Sequence, residues 1–295
     1  MVGLAGETGS ILGIYKKYLR GGVDLEASRR FFSEELGDLL WYIAAVATSC
    51  GLDLDTIAES NLSRARARYG SHSRPYQPNN WPAPDASYPE TERFPRRLVM
   101  EFTERRGRRD QLVGRMRLVN AEPDAFGGVV RQVNGKRIGF RVGDFLGDEL
   151  TDNTRKSDGY RFHDAIHLGF LSVLGWSPNM RSLLGLKRRS DPETDEAEDG
   201  ARAIFAEEGL AAVLSRLARE RKGFLDEAGI DGEVLKIAEA ATFDLEVEGT
   251  PAWLWRRAIH HGFRAMADLT ENSGGYLLAD LDARTLTYEK VVVRG

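Results

Sequence analysis

The sequence predicts an N-terminal all-α helical bundle followed by an α+β C-terminal domain. Three observations predict it. Apolar residues in 1–70 recur at helical spacing, prolines crowd residues 71–95, and residues 96–295 mix strand-like segments with helices and end in a hairpin pattern. We therefore expect a helical domain at 1–70, a proline-rich linker at 71–95 and an α+β domain at 96–295.

The first helix is expected from Leu4 or Glu7 to Leu19. Ile11, Leu12, Tyr15 and Leu19 form its apolar stripe. Lys16, Lys17 and Arg20 suit the negative end of its dipole, and Gly21-Gly22 ends it. Only Met1 and Val2 precede Gly3, so a flanking upstream helix is expected to be missing from this frame.

The second helix is expected over Leu25–Ser49. Phe31, Phe32, Leu36, Leu39, Leu40, Ile43 and Val46 cover most of its circumference, which suits a bundle core or a subunit interface. Gly51 follows as a C-terminal glycine. Asp53 or Asp55 can cap a third helix running to about Tyr69, with Asn61, Arg64 and Arg68 on one face.

Pro75, Pro78, Pro82, Pro84, Pro89 and Pro95 fix φ and remove backbone donors, so 71–95 reads as a linker or extended arm. Tyr76, Trp81 and Tyr88 suggest that the arm packs on something. Strands are expected at Arg97–Phe102, Leu112–Val119, Val129–Val133 and Arg137–Val142, with a hairpin turn at Asn134-Gly135. After Asp144 the pattern reads as helical: Tyr160–Leu174, a long helix within Pro192 to about Arg221, Asp231–Leu245 and Pro251–Thr270. Tyr276–Asp280 and Thr285–Val292 close the chain as a hairpin.

Composition narrows the function. The net charge of -4 argues against a nucleic-acid-coating role. The single cysteine, Cys50, fits a reducing cytoplasm. Residues 1–10 lack the pattern of a signal peptide. The apolar run Leu39–Ala47 is far below the roughly 20 residues that a bilayer requires, so no membrane partner is expected.

Two sets of residues could carry chemistry. In the first, Glu35 and Asp38 are three apart and share a helix face, and Glu7 lies on the preceding helix. Three carboxylates from two helices could hold a hard cation such as Mg²⁺. They also suit solvated helix faces paired with Lys17, Arg64 and Arg68.

Gly3-Leu4-Ala5-Gly6-Glu7, Glu35-Leu36-Gly37-Asp38-Leu39-Leu40-Trp41-Tyr42 and Asn61-Leu62-Ser63-Arg64-Ala65-Arg66-Ala67-Arg68-Tyr69 resemble the MazG-like family of all-α nucleoside triphosphate pyrophosphohydrolases. The resemblance covers residues 3–70. It implies Mg²⁺-dependent cleavage of an NTP or dNTP to NMP and pyrophosphate in a homodimer or tetramer. Glu7, Glu35 and Asp38 would be metal ligands, with Glu35 and Asp38 the catalytic pair. Lys17, Asn61, Arg64 and Arg68 would face substrate. Ser10 stands where the family has glutamate. A neutral, shorter side chain there removes one ligand or leaves its place to water, so a catalytically impaired nucleotide-binding or dimerisation module is the alternative.

The second set is His163, Asp164 and His167, then Glu196, Asp199, Glu207 and Glu208. His163 and His167 are i,i+4 and suit two metal ligands on one helix face. The pattern is not His-Glu-x-x-His, so no zinc protease is read here. Core histidines bonded to Glu207 and Glu208 are the competing explanation. A hydrolase using this second site is a further alternative. Residues 160–209 also resemble the C-terminal region of some MazG-like proteins. The basic run Arg105–Arg109 reads as a solvated turn, and His260-His261 as a packing pair.

Overall fold

The computed structural model describes residues 2–22, 24, 26–69, 84–108, 110–122, 131–133, 136–138, 142–154 and 156–291. The side chains of 2, 63–69, 122, 131–133 and 136–138 fall outside that description. The chain divides into two compact units, residues 1–66 and 67–295.

The first unit is helical: α1 (Val2–Leu19), α2 (Arg29–Ser49) and α3 (Leu54–Tyr69). α2 starts four residues later than the sequence predicts. Helix α1 lies tightly against α2 at one point: a Cβ on Gly3 would fall 2.2 Å from Tyr42 Cζ. Glycine leaves the space that the Tyr42 ring occupies over α1. Gly21 and Gly51 take left-handed φ of 72° and 63° just past α1 and α2, as their sequence positions predict. Asp53 caps α3 by accepting bonds from the Thr56 N–H at 2.8 Å and its hydroxyl at 2.6 Å. Ala47 is this unit's sole buried hydrophobic side chain among the described residues. Leu12, Leu19, Leu36, Leu40 and Trp41 are exposed. The apolar circumference of α2 therefore is not covered within the unit.

The second unit holds a five-stranded antiparallel sheet in the order β5-β2-β1-β6-β7: β1 (Arg97–Arg106), β2 (Leu112–Glu122), β5 (Phe145–Leu150), β6 (Gly274–Asp280) and β7 (Thr285–Glu289). A separate ribbon pairs β3 (Arg131–Val133) with β4 (Lys136–Ile138). Asn134-Gly135, the predicted turn, lies outside the described residues. Leu98, Met100 and Phe102 alternate inward from β1, as a sheet with one buried face requires.

Helices α4 (Asp164–Leu174) and α9 (Ala252–Asn272) form the next layer. Ala165, Leu168 and Leu171 of α4 join the sheet's core. Ile166, Phe170 and Val173 turn to a second core with α7 (Ala201–Ala218), α8 (Gly232–Ala241) and α9. Every residue of α4 is buried because it is covered on both sides. Its crossing with α9 is close. A Cβ on Gly169 would lie 2.7 Å from both the Ala258 carbonyl oxygen and Gly262 Cα.

Several expectations are corrected here. Residues 145–150 form edge strand β5, where a helical reading was expected. Leu146 is its sole fully buried residue, and Gly147, Asp148 and Glu149 have low strand preference. Helix α5 (Pro178–Leu184) was not predicted, although Ser177 caps it and Pro178 is its first residue. The long helix expected within Pro192 to about Arg221 is present as α7, but Glu196 and Asp199, expected on it with Glu207, precede it: Glu196 lies on the separate α6 (Pro192–Ala197) and Asp199 between the two. Gly200 sits at the break, where a Cβ would fall 2.1 Å from the Glu196 carbonyl oxygen.

The described part of the proline-rich segment packs, as the expectation of an arm that packs on something requires. Residues 70–83, including Tyr76 and Trp81, lie outside the described residues. Residues 84–95 are packed into the second unit. Asp85 accepts from Phe94 N–H at 2.7 Å and from Arg181 Nη2 at 3.2 Å, and both side chains of that ion pair are buried. The Tyr88 hydroxyl donates to Asp191 Oδ2 at 3.2 Å. Burial of Asp85 and Glu92 thus ties this stretch to the fold.

Candidate functional site

In the first unit the α1–α2 contact brings Glu7 to Glu35. Their carboxyl groups share a hydrogen bond, which raises the pKa of Glu35 above the usual carboxylate range. Partial burial adds to this, as do the charges of Glu7, Asp38 and Glu34. Glu35 Oε2 is buried and has no hydrogen-bond partner among the described residues. Carboxylates gathered across two helices, with one buried oxygen left unpaired, are suited to a cation. Asp38 is exposed on the same face of α2. Glu34 turns to Arg30 at 2.9 Å instead. Lys17 and Asn61 are exposed, with Lys17 at the far end of α1 from Glu7. The side chains of Arg64 and Arg68 lie outside the described residues.

In the second unit the histidines of α4 meet the carboxylates of α7. His163 occupies the N-cap of α4, and its Nδ1–H donates to the Tyr160 carbonyl at 2.9 Å. His167 Nδ1 donates to Glu207 Oε1 at 2.9 Å. Glu207 also accepts from the Ser177 hydroxyl at 2.6 Å and the Asn179 N–H at 2.8 Å. With Nδ1 engaged on each ring, both Nε2 atoms face Glu208: His163 Nε2 is 3.5 Å from Oε2, and His167 Nε2 is 3.4 Å from Oε1. One ligand atom from each of His163, His167 and Glu208 lies within 4.8 Å of the others.

The electrostatics follow from burial and pairing. Burial alone would lower the pKa of His167, but Glu207 and Glu208 push it up to about 10. Burial alone would raise Glu208, and the two imidazoles hold it well below the usual carboxylate range. Asp164, buried in the first turn of α4, is raised by desolvation, against the pull of His163 and His167. Tyr160 stacks on His163 with ring centroids 4.4 Å apart, and burial with nearby carboxylates pushes its hydroxyl up to about 12. Tyr160 also lines a cleft of about 380 Å³ with Arg219, Met266 and Thr270.

Two expected members of the second set are elsewhere. Asp199 is buried against Arg188, 2.7 Å from Nη2, and also faces Arg181 at 3.4 Å. Glu196 is exposed on α6. The helix break at Glu198–Gly200 rotates both away from Glu207. Conversely, Ser177, Asn179 and Tyr160 belong to the site and were not read from sequence. The Ser177-Pro178 pair is a helix-start signal that could have located the first two.

The remaining candidates are structural. Arg105 pairs with Glu149 at 2.5 Å and Arg106 with Asp110 at 2.9 Å, and both arginines belong to β1 and not to a turn. His260 and His261 point Nδ1 at the carbonyls of Phe224 and Leu286, at 3.0 and 3.2 Å.

Residues 128–292, more than half of the chain, match the MazG C-terminal domain, and the chain belongs to that family. The match begins after β2, so the sheet's central strand β1 and its neighbour β2 precede it. The chain is also similar to the Gene 37 protein of Mycobacterium phage L5, with 38% identity over 69 residues, 23% of this chain. The matched stretch spans 60% of that phage protein's length. No solved structure matches the chain. No helix among the described residues is long and apolar enough to cross a membrane.

Proposed function

We propose that this MazG-like protein is a Mg²⁺-dependent nucleoside triphosphate pyrophosphohydrolase, converting an NTP or dNTP to NMP and pyrophosphate at the α1–α2 acids. The observation that carries this reading is the meeting of Glu7 and Glu35 across two helices, with Glu35 Oε2 left unpaired. Glu7, Glu35 and Asp38 would hold the cation. When bound, it supplies charge compensation for the triphosphate and activation of water. Lys17, Asn61, Arg64 and Arg68 would bind the phosphates and nucleoside. The hydrolysed bond lies between the α- and β-phosphates, so the leaving group is pyrophosphate.

The site would be completed by a second copy of the chain in a homodimer or tetramer. The exposed Leu36, Leu40 and Trp41 support this, because an uncovered apolar helix face favours association. A cytoplasmic setting suits such a substrate. The competing reading is a nucleotide-binding or dimerisation module without turnover, favoured by Ser10 in place of a glutamate ligand.

The test is incubation with a panel of NTPs and dNTPs and Mg²⁺, with pyrophosphate as the readout. Turnover abolished by Asp38→Ala supports the hydrolase. Binding without turnover supports the module. Turnover lost in His163→Ala but kept in Asp38→Ala moves the chemistry to the second unit.

A further inference from the structure

We propose that His163, His167 and Glu208 form a second metal centre, for a borderline transition-metal dication such as Zn²⁺, distinct from the all-carboxylate site of α1 and α2. Three independent features support it. The first is spacing. Ligands 2.0–2.1 Å from a tetrahedral ion lie about 3.3 Å from one another. His163 Nε2 is 3.5 Å from one Glu208 oxygen, Oε2, and His167 Nε2 is 3.4 Å from the other, Oε1, and one ligand atom from each of the three residues lies within 4.8 Å of the others.

The second is the orientation of the rings. Metal-binding imidazoles commonly donate their other N–H to a carbonyl or carboxylate, which fixes the tautomer and aims the free nitrogen. Both histidines hold Nδ1 in this way; His163 Nε2 faces Glu208, and His167 Nε2 faces Glu208 and, at 3.3 Å, the Asn179 side-chain amide, which an ion would displace. His163 Nδ1 is held by the Tyr160 carbonyl and His167 Nδ1 by Glu207. Glu207 is itself fixed by Ser177 and the Asn179 backbone. That is a supporting layer two residues deep, assembled from α4, α5 and α7.

The third is access. His167 and Glu207 are wholly buried, whereas the Glu208 side chain is 38% exposed. The cluster is therefore closed on the protein side and open on the Glu208 side. Three protein ligands with one open side leave room for water or a small ligand. Two imidazoles select a nitrogen-seeking metal over Mg²⁺, which prefers oxygen.

The proposal does not depend on hydrolysis in the first unit. Its test uses the full chain, stripped of metal and titrated with Co²⁺ as a spectroscopic stand-in for Zn²⁺. One equivalent should give the intense visible bands of four- or five-coordinate Co²⁺ with nitrogen ligands. Zn²⁺ should bleach them, and Mg²⁺ should not. His163→Asn and Glu208→Gln should weaken binding at least tenfold, while Asp38→Ala leaves it unchanged. Weak octahedral bands alone in the wild-type protein would overturn the proposal without recourse to any variant. Bands lost in Asp38→Ala, or unmoved in folded His163→Asn and Glu208→Gln, would overturn it too.

Discussion

His167 and Glu207 form a wholly buried pair, Nδ1 to Oε1 at 2.9 Å, that joins α4 to α7. Neither side chain has solvent to fall back on. Removing one partner strands the other, which costs about 3–5 kcal/mol for a buried ion pair. Glu207→Ala also leaves the Ser177 hydroxyl and Asn179 N–H without their acceptor. Thermal unfolding should fall by on the order of 10 °C. A drop within 2 °C would mean that the pair contributes little to holding the helices.

The α4–α9 crossing makes a second prediction. Gly169→Ala places a methyl 2.7 Å from the Ala258 carbonyl oxygen, inside van der Waals contact. The helices must move apart, at a cost of roughly 1–3 kcal/mol. Denaturant unfolding checks this. Gly209→Ala is the control. Its Cβ would meet nothing within 4 Å, and alanine favours the helix.

A pH effect follows from His261. Burial first, then Arg257 and His260, lower its pKa to about 4, against a usual value of 6.5. The folded state therefore binds its proton less readily than the unfolded chain. Stability is complete above pH 6.5 and is lost as pH falls towards 4, by roughly 2–3 kcal/mol. His261→Gln keeps a donor for the Leu286 carbonyl and does not titrate. Melting curves across pH 4–7 should be flatter in this variant than in the parent.

Ser10 offers a gain-of-function test. It is exposed on α1, one turn beyond Glu7, so a longer carboxylate there can reach the Glu7–Glu35 cluster. Ser10→Glu should lower the Mg²⁺ concentration needed for half-maximal activity. An unchanged or higher requirement would place Ser10 outside the metal's surroundings.

Much of this fold could be read from local pattern. The α1 helix, the Asp53 cap and the closing hairpin are signals within a few residues of one another, and the structure has them, although Leu12, Tyr15 and Leu19 of the α1 stripe are exposed. β5 was not legible, because it is an edge strand with one inward residue and owes its existence to pairing with β2. The break before α7 was hidden for a related reason. Asp199 leaves the helical path to meet Arg188, a partner that spacing cannot reveal. At the candidate centre, the i,i+4 histidines were visible at once. Ser177 and Asn179 were not, since they reach Glu207 from a separate helix some thirty residues away.

The proposed chemistry at Glu35 and Asp38 is tested most directly by product analysis. Wild-type protein and Asp38→Ala are incubated with Mg²⁺ and a nucleoside triphosphate, and the products are resolved by chromatography. The account predicts equal NMP and pyrophosphate from the wild type and neither from Asp38→Ala. NDP and phosphate in place of these, or equal turnover by both proteins, would contradict it.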